Sequence, residues 1–360
     1  MLLALVGHGA DRLAEAEAAF RQALPLAASG RDVRLSSQTH ARLAEVILLR
    51  ARTAPPEQAP GLREAALRAL QTAQMPRLRA RDPLWWAELK IRTADLLLTI
   101  AGARSEEAGL KAGAISAKSA LRLLPVEVSR EKRVRGLTVL GGLFAALAKV
   151  EPGRRRPEQA LATFEAALAT TDPGVTPGVW TTILIRIGTL LVPSPEEADA
   201  PRIADLIARY RTGIVAVSAH PLSVQRLQRV LAEALAADGK RRLDPASFAE
   251  SVTLLRTVLA TVTRDADAAA WAQCQMALAD SLREIARLEQ DAGALAEALA
   301  RLGEVEAHAQ DTQRQNVLTG VRRRMAACRA LAKTVGSQPP RQAASGDPVG
   351  QVRRLLQKSG

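Results

Sequence analysis

Aromatic residues are almost missing from this chain: phenylalanine, tryptophan and tyrosine together make up 2% of 360 residues, with a single tyrosine. A hydrophobic share of 48% must therefore be packed mainly from Leu, Val, Ile and Ala. Binding to single-stranded nucleic acid loses its usual means, because bases stack on aromatic faces. Cysteine is scarcer still. Cys274 and Cys328 cannot make a disulfide framework or a zinc site. Both sit in helical apolar patterns as small buried hydrophobes, and a reducing, cytoplasmic setting is expected. The longest uncharged stretch, 212–225, has 14 residues and contains His220-Pro221. A membrane span needs roughly 18 apolar residues, so no membrane association is expected. The apolar start Met1–Val6 has no basic residue ahead of it and no convincing cleavage site, unlike a signal peptide.

Catalytic signatures are missing too. There is no Gly-rich phosphate loop, no paired-histidine metal motif and no nucleophile elbow. The four histidines, His8, His40, His220 and His308, are scattered. Asp265 and Asp267 sit in a turn where they can cap a helix, without the aspartate cluster of an all-α prenyl-transfer site. No catalytic activity, cofactor or metal is expected, and an all-α enzyme is the least supported class.

Charge is plentiful but unevenly placed. Of the net +13, residues 311–360 carry +8, from ten Lys/Arg against Asp311 and Asp347. The preceding 310 residues carry only +5. The basic balance is thus mostly a property of the C-terminal end.

The dominant signal is repetition. Trp86, Trp180 and Trp271 each stand eight residues before a small residue (Ala94, Gly188, Ala279), with leucine three further on at Leu97, Leu191 and Leu282. The same signature without tryptophan adds Ala44, Gly141 and Ala232, and a weaker copy adds Ala326, at spacings of 44 to 50 residues. A second series interleaves. Ala16-x3-Phe20-x2-Ala23-Leu24 recurs as Ala160-x3-Phe164-x2-Ala167-Leu168. Degenerate copies are Ala66/Leu70/Ala73, Gly113/Ala117/Ala120, Leu206/Tyr210/Gly213, Ser251/Leu255/Val258 and Ala298/Leu302/Val305. Intervals of three, four and seven place each set on one helix face. The first series marks a helix A, whose small residue lets the paired helix B of the second series approach closely. Ser105-Glu106-Glu107, Ser194-Pro195-Glu196-Glu197 and Asp244-Pro245 offer starts for B helices. Pro125, Asp172-Pro173-Gly174 and Pro221 separate B from the next A.

Trp271-Ala-Gln-Cys-Gln-Met-Ala-Leu278-Ala279-Asp280-Ser-Leu282 resembles the first helix of bacterial tetratricopeptide repeats, and Ala160-x3-Phe164-x2-Ala167 resembles their second. The period of about 47 exceeds the usual value of about 34 and is similar to a longer-repeat bacterial variety. The resemblance implies an all-α, right-handed solenoid of six to seven antiparallel helix pairs that binds protein. The repeat domain is expected over 1–333, opening on a half-repeat at Met1–Gly7 and closing on a polar capping helix, Thr312–Lys333. Residues 334–348 read as a linker. Residues 349–360 read as a basic tail with an apolar stripe, able to dock on a partner or on the protein's own groove.

The A helices of such repeats line the concave face, as the resemblance implies. The residue after each small one should then face a groove: Glu45, Asp95, Gly142, Thr189, Glu233 and Asp280. Four of the six are acidic, which suits a basic or extended partner segment. The plainer alternative is a solvated face with local ion pairs such as Asp280 with Arg283. Tryptophans at fixed repeat positions are expected to pack between helices, and Trp85, off the register, to be exposed. Arginine clusters at 77/79/81, 130/132/133/135, 154–156 and 240–242 leave binding of nucleic acid or an acidic partner as the alternative function.

Overall fold

The computed structural model describes residues 9–29, 32–125, 129–151, 153, 155–191 and 200–335. Among these residues there are 15 α-helices and no β-strand. They fall into two compact units, Met1–Leu191 and Val192–Gly360. In the first, B-type helices α1 (Gly9–Ser29), α3 (Ala59–Ala73), α6 (Glu107–Leu121) and α8 (Arg155–Thr170) alternate with A-type helices α2 (Val33–Thr53), α5 (Pro83–Arg104), α7 (Arg130–Val150) and α9 (Pro177–Leu191). A single-turn helix, α4 (Leu78–Arg81), is inserted between α3 and α5. In the second, B-type α10 (Ala200–Ala216), α12 (Pro245–Leu259) and α14 (Ala292–Asp311) alternate with A-type α11 (Pro221–Arg242), α13 (Ala268–Glu289) and α15 (Gln315–Ala332). The half-repeat at Met1–Gly7, the start at Ser194–Glu197 and the chain from 336 onward lie outside the described residues.

Both repeat series are largely buried where the periodicity put them, apart from the first B copy, Ala16, Phe20, Ala23 and Leu24, which is half-buried. The small A-helix residues Ala44, Ala94, Ala232 and Ala279 are at most 1% exposed. Every member of the B series from Ala66 to Val305 except the half-buried Leu168 is buried, degenerate copies included. Ala326 breaks the rule and is exposed, because α15 has no following B helix among the described residues. The close approach is visible at Gly141, where an added Cβ would stand 2.8 Å from the ring of Phe164. It recurs at Gly239, 3.1 Å from the Phe248 ring. The two thiols sit in the α11–α15 core, as small hydrophobes do. Burial pushes Cys274 up to about 11.

The A-to-B connections share a backbone solution. Ser105, Leu243 and Gln290 each end an A helix in the left-handed region, with φ of 53°, 54° and 58°. The next residue is extended and begins the B helix. Ser105 therefore terminates α5 and does not cap α6; Glu106 occupies the cap position and makes no side-chain bond there. Asp244 and Asp291 do cap, accepting from Ala246 N and from Gly293 and Ala294 N. On the B-to-A side, Asp32, Asp82 and Asp267 cap α2, α5 and α13.

These contacts make opposite predictions for chemically similar changes. Gly141→Ala should cost about 1–3 kcal/mol through overpacking against Phe164. Gly303→Ala, with nothing within 4 Å of the added carbon, should gain up to about 1 kcal/mol of helix stability. Leu243→Gly should also stabilise, by about 1 kcal/mol, by relieving a left-handed leucine that is 59% exposed. Urea midpoints of the three variants against wild type check all three signs.

Candidate functional site

The residues singled out after each small A-helix position do not share one environment. Glu45 on α2 and Asp95 on α5 line a cavity of about 410 Å³, together with Arg52, Arg63, Arg92 and Arg135. Its apolar wall comes from Ala44, Leu48, Ala51, Leu70 and Leu96. Glu233 on α11 and Asp280 on α13 line a second cavity, of about 510 Å³, within the other unit. Ala232, Ala236, Ala277 and Ala327 form much of its floor. Thr189 is exposed, lines neither cavity, and turns its hydroxyl to the Ile185 carbonyl of its own helix at 2.9 Å. Gly142 has no open space: an added Cβ would meet Leu98 Cδ2 at 2.8 Å. The repeat register brings the four acids to cavity rims but does not carry Gly142 to one.

Each rim acid is met by arginine. Arg92 of α5 reaches back to Glu45 of α2 and also donates to Glu88 at 2.6 Å. Arg135 of α7 stands 3.6 Å from Asp95 of α5, and Lys132 bonds Glu88 at 2.7 Å. In the second unit Arg324 of α15 donates to Asp280 of α13 at 2.8 Å, with Arg283 at 3.4 Å on the other oxygen. Glu233 is held from its own helix by Arg229 at 2.8 Å. Three of the four acids therefore belong to ion pairs that step from one A helix to the next. The pairing i,i+3 that the sequence suggested for Asp280 and Arg283 is present beside the longer-range one. Arg52, Arg63 and Arg323, which share these cavities, pair with no carboxylate. Cations thus outnumber carboxylates on both rims.

Burial gives these pairs their electrostatic weight. At Glu88 burial alone would raise the carboxyl, but the hydrogen bonds from Lys132 and Arg92 outweigh it and hold it below the usual glutamate range. Glu284, bonded by Arg287 and Arg283, behaves the same way. Glu233 shifts upward instead. Half of its side chain meets solvent, yet its crowded surroundings desolvate the carboxylate more than Arg229 compensates.

The tryptophans pack, with one departure from expectation. Trp86, Trp180 and Trp271 are half-buried, and Trp271 meets His308 edge-on at 5.7 Å between ring centroids. Trp85 is half-buried as well, not exposed. Its Nε1 donates to Ser37 Oγ at 2.9 Å, Ser37 donates on to the Ala73 carbonyl at 2.8 Å, and Arg92 lies over the ring. The polar end of this indole finds a partner on α2, which the A-helix register alone did not reveal.

Most of the arginine clusters are consumed inside the fold. Arg130 donates to the Thr170 carbonyl at the end of α8, and Arg133 to the Leu121 and Leu124 carbonyls at the end of α6. Cationic groups on helix C-termini are favourable for the backbone dipole. Arg241 and Arg242 hold the buried Asp238, and Arg156 pairs with Glu151. Among the described residues no group of three His, Cys, Asp or Glu side chains is placed to hold a metal ion. Nor is any described helix long and apolar enough to cross a membrane.

The architecture is that of an all-α, tetratricopeptide-like array of helix-pair repeats. No protein-family model matches the chain, and no curated protein does. Solved structures resemble it at low identity, among them the following three. A Rap protein complexed with Competence and Sporulation Factor is 12% identical, with 92% of this chain and 90% of that one covered and a TM-score of 0.41. A circular tandem repeat protein of novel repeat topology is 14% identical over 98% and 93%, with a TM-score of 0.39. The tetratricopeptide domain of P58(IPK) is 12% identical over 91% and 100%, with a TM-score of 0.26.

The pair ladder makes two predictions. Arg92→Ala leaves Glu45 to Arg42 alone and Glu88 to Lys132 alone, and should cost about 1 kcal/mol in denaturant titrations. The Glu88 carboxyl is depressed in the folded state, so its contribution is fully present above the usual glutamate value near 4.5 and is lost as pH falls through the lower folded value. Glu88→Gln should therefore lose stability at neutral pH and show a shallower further loss on acidification below that value. Parallel pH–stability curves for the variant and wild type would refute the assignment.

Proposed function

We propose that this chain is a non-catalytic protein-binding module that holds an extended segment of a partner against its A helices. One observation carries the reading: Glu45 with Asp95, and Glu233 with Asp280, gather at the rims of two cavities walled by small or aliphatic side chains. An alanine floor lets a partner backbone come close, and charged groups on either side can fix it by charge-assisted hydrogen bonds. Stacked repeats present extended surfaces of this kind. Thr189 holds the corresponding repeat position on α9 but lines neither cavity. Because every rim acid already has an arginine, the partner segment need not be basic; mixed polarity suits rims on which both signs alternate. A reducing, cytoplasmic setting belongs to the same reading and rests on the two free, buried thiols.

The test leaves the ion pairs alone. Ala236, Ala277 and Ala327 stand at the 510 Å³ cavity and none is fully buried. Replacing all three by leucine should fill that cavity and reduce capture of a partner from native lysate at least about tenfold, a change of about 1.4 kcal/mol. The melting temperature should not fall. Undiminished capture by the folded variant would remove this cavity from the binding surface.

A further inference from the structure

One arginine cluster is not consumed by the fold. Arg77, Arg79 and Arg81 are exposed, and among the described residues none of them pairs with a carboxylate. They belong to the segment around α4, and no helix occurs in the other described B-to-A connections. Leu78, between two of them, is 1% exposed and pins the segment to the core. Backbone bonds Leu78 N to Met75 O (2.9 Å) and Asp82 N to Leu78 O (2.8 Å) close the turn. The three guanidinium groups therefore project from a backbone that is already fixed, which lowers the ordering cost of binding.

A fourth cation completes the patch. Lys90 places Nζ 4.9 Å from the centre of the Trp86 ring, and Arg79 lies 5.5 Å from the same centre. Lys90 has no carboxylate partner either, and desolvation draws its ammonium below the usual lysine range. The nearby acids are committed elsewhere. Asp82 caps α5 through Trp85 N and pairs with Arg34 at 3.2 Å, and Glu88 is taken by Arg92 and Lys132. Two positive groups, Arg79 and Lys90, thus meet one indole, and Arg77 and Arg81 stand beside them on the same single-turn segment.

We propose that Arg79 and Lys90 at the Trp86 ring, with Arg77 and Arg81 of the same short segment, form a docking surface for an acidic segment of a protein partner that presents at least two carboxylates. Planar guanidinium groups match carboxylates in a two-bonded geometry. A carboxylate would also supply the counter-charge that Lys90 lacks. Nucleic acid is the poorer fit. It asks for a continuous cationic track, roughly six to ten phosphate contacts in a typical complex. The clusters at 130–135 and 241–242 are tied to carbonyls and acids instead. Trp86 already has two cations near its ring centre, and a base would have to compete with them to stack. The surface uses none of the residues that line either cavity, so it stands or falls separately from the groove reading.

Fluorescence anisotropy on the full chain, with a labelled peptide of alternating glutamate and serine, tests it. The triple variant Arg77→Glu, Arg79→Glu, Arg81→Glu should weaken the peptide at least about tenfold at low salt, where surface charge is least screened. A control with the same net charge change, Arg12→Glu, Arg68→Glu, Arg329→Glu, reverses three other exposed arginines without ion-pair partners and should weaken it less than about twofold. Equal loss in both variants would mean bulk charge and overturn the site, as would failure of the wild type to bind the peptide. A single-stranded oligonucleotide that binds more tightly than the peptide and is lost in the same triple variant would overturn the partner class. Circular dichroism of both variants confirms that the fold is intact, since all six positions are exposed.

Discussion

The approach of each A helix to its B partner through a residue with almost no side chain is the constraint on which the rest depends. Where Gly141 faces the Phe164 ring, or Gly239 the Phe248 ring, a single methyl group would already collide. That closeness lets a chain almost without aromatics build a dry core. Alanine and glycine on one side give leucine, valine or an occasional ring on the other side room to fill the gap. The cost of so small an interlock is narrow tolerance. Deviation of a single carbon is felt at the A/B seam, while exposed helix faces nearby accept changes freely.

The rim chemistry follows from the same seam. Because the small residue points at the B helix, the next residue along the A helix is rotated toward the neighbouring A helix, and the acids there meet arginines of the following unit. Glu45 with Arg92, Asp95 with Arg135 and Asp280 with Arg324 all run in this direction. The cavities between A helices are consequently lined by matched charges and not by a single sign. An overall positive surplus remains on both rims, carried by arginines that face no acid.

Much of this was legible in the sequence. The two interleaved series marked the buried face of most helices, down to the degenerate copies Gly113/Ala117/Ala120 and Ser251/Leu255/Val258, because spacing sets which face a residue shares; the half-buried first copy at Ala16 and Phe20 and the exposed Ala326 depend on what packs against that face. The identity of the rim acids was legible for the same reason. What spacing alone does not contain is contact between residues a full repeat apart. The arginine that neutralises Glu45 comes 47 residues later, and the hydroxyl that receives Trp85 comes 48 residues earlier. The nearest local clue was an arginine three or four places before several rim acids, as in Arg42 with Glu45 and Arg229 with Glu233. Ser105 misled for a different reason: serine is a good helix cap, but the turn needs its preceding helix closed in the left-handed region first, and that residue happened to be the serine.

The pairs that step from one A helix to the next differ in their chemistry from seam to seam. Glutamate meets an arginine that also serves a second glutamate at the first, aspartate meets a more distant arginine at the next, and an aspartate is shared by two arginines near the far end. In a shifted stacking these pairs would be broken and their acids left without the arginine that now meets them, a penalty that apolar burial alone does not supply.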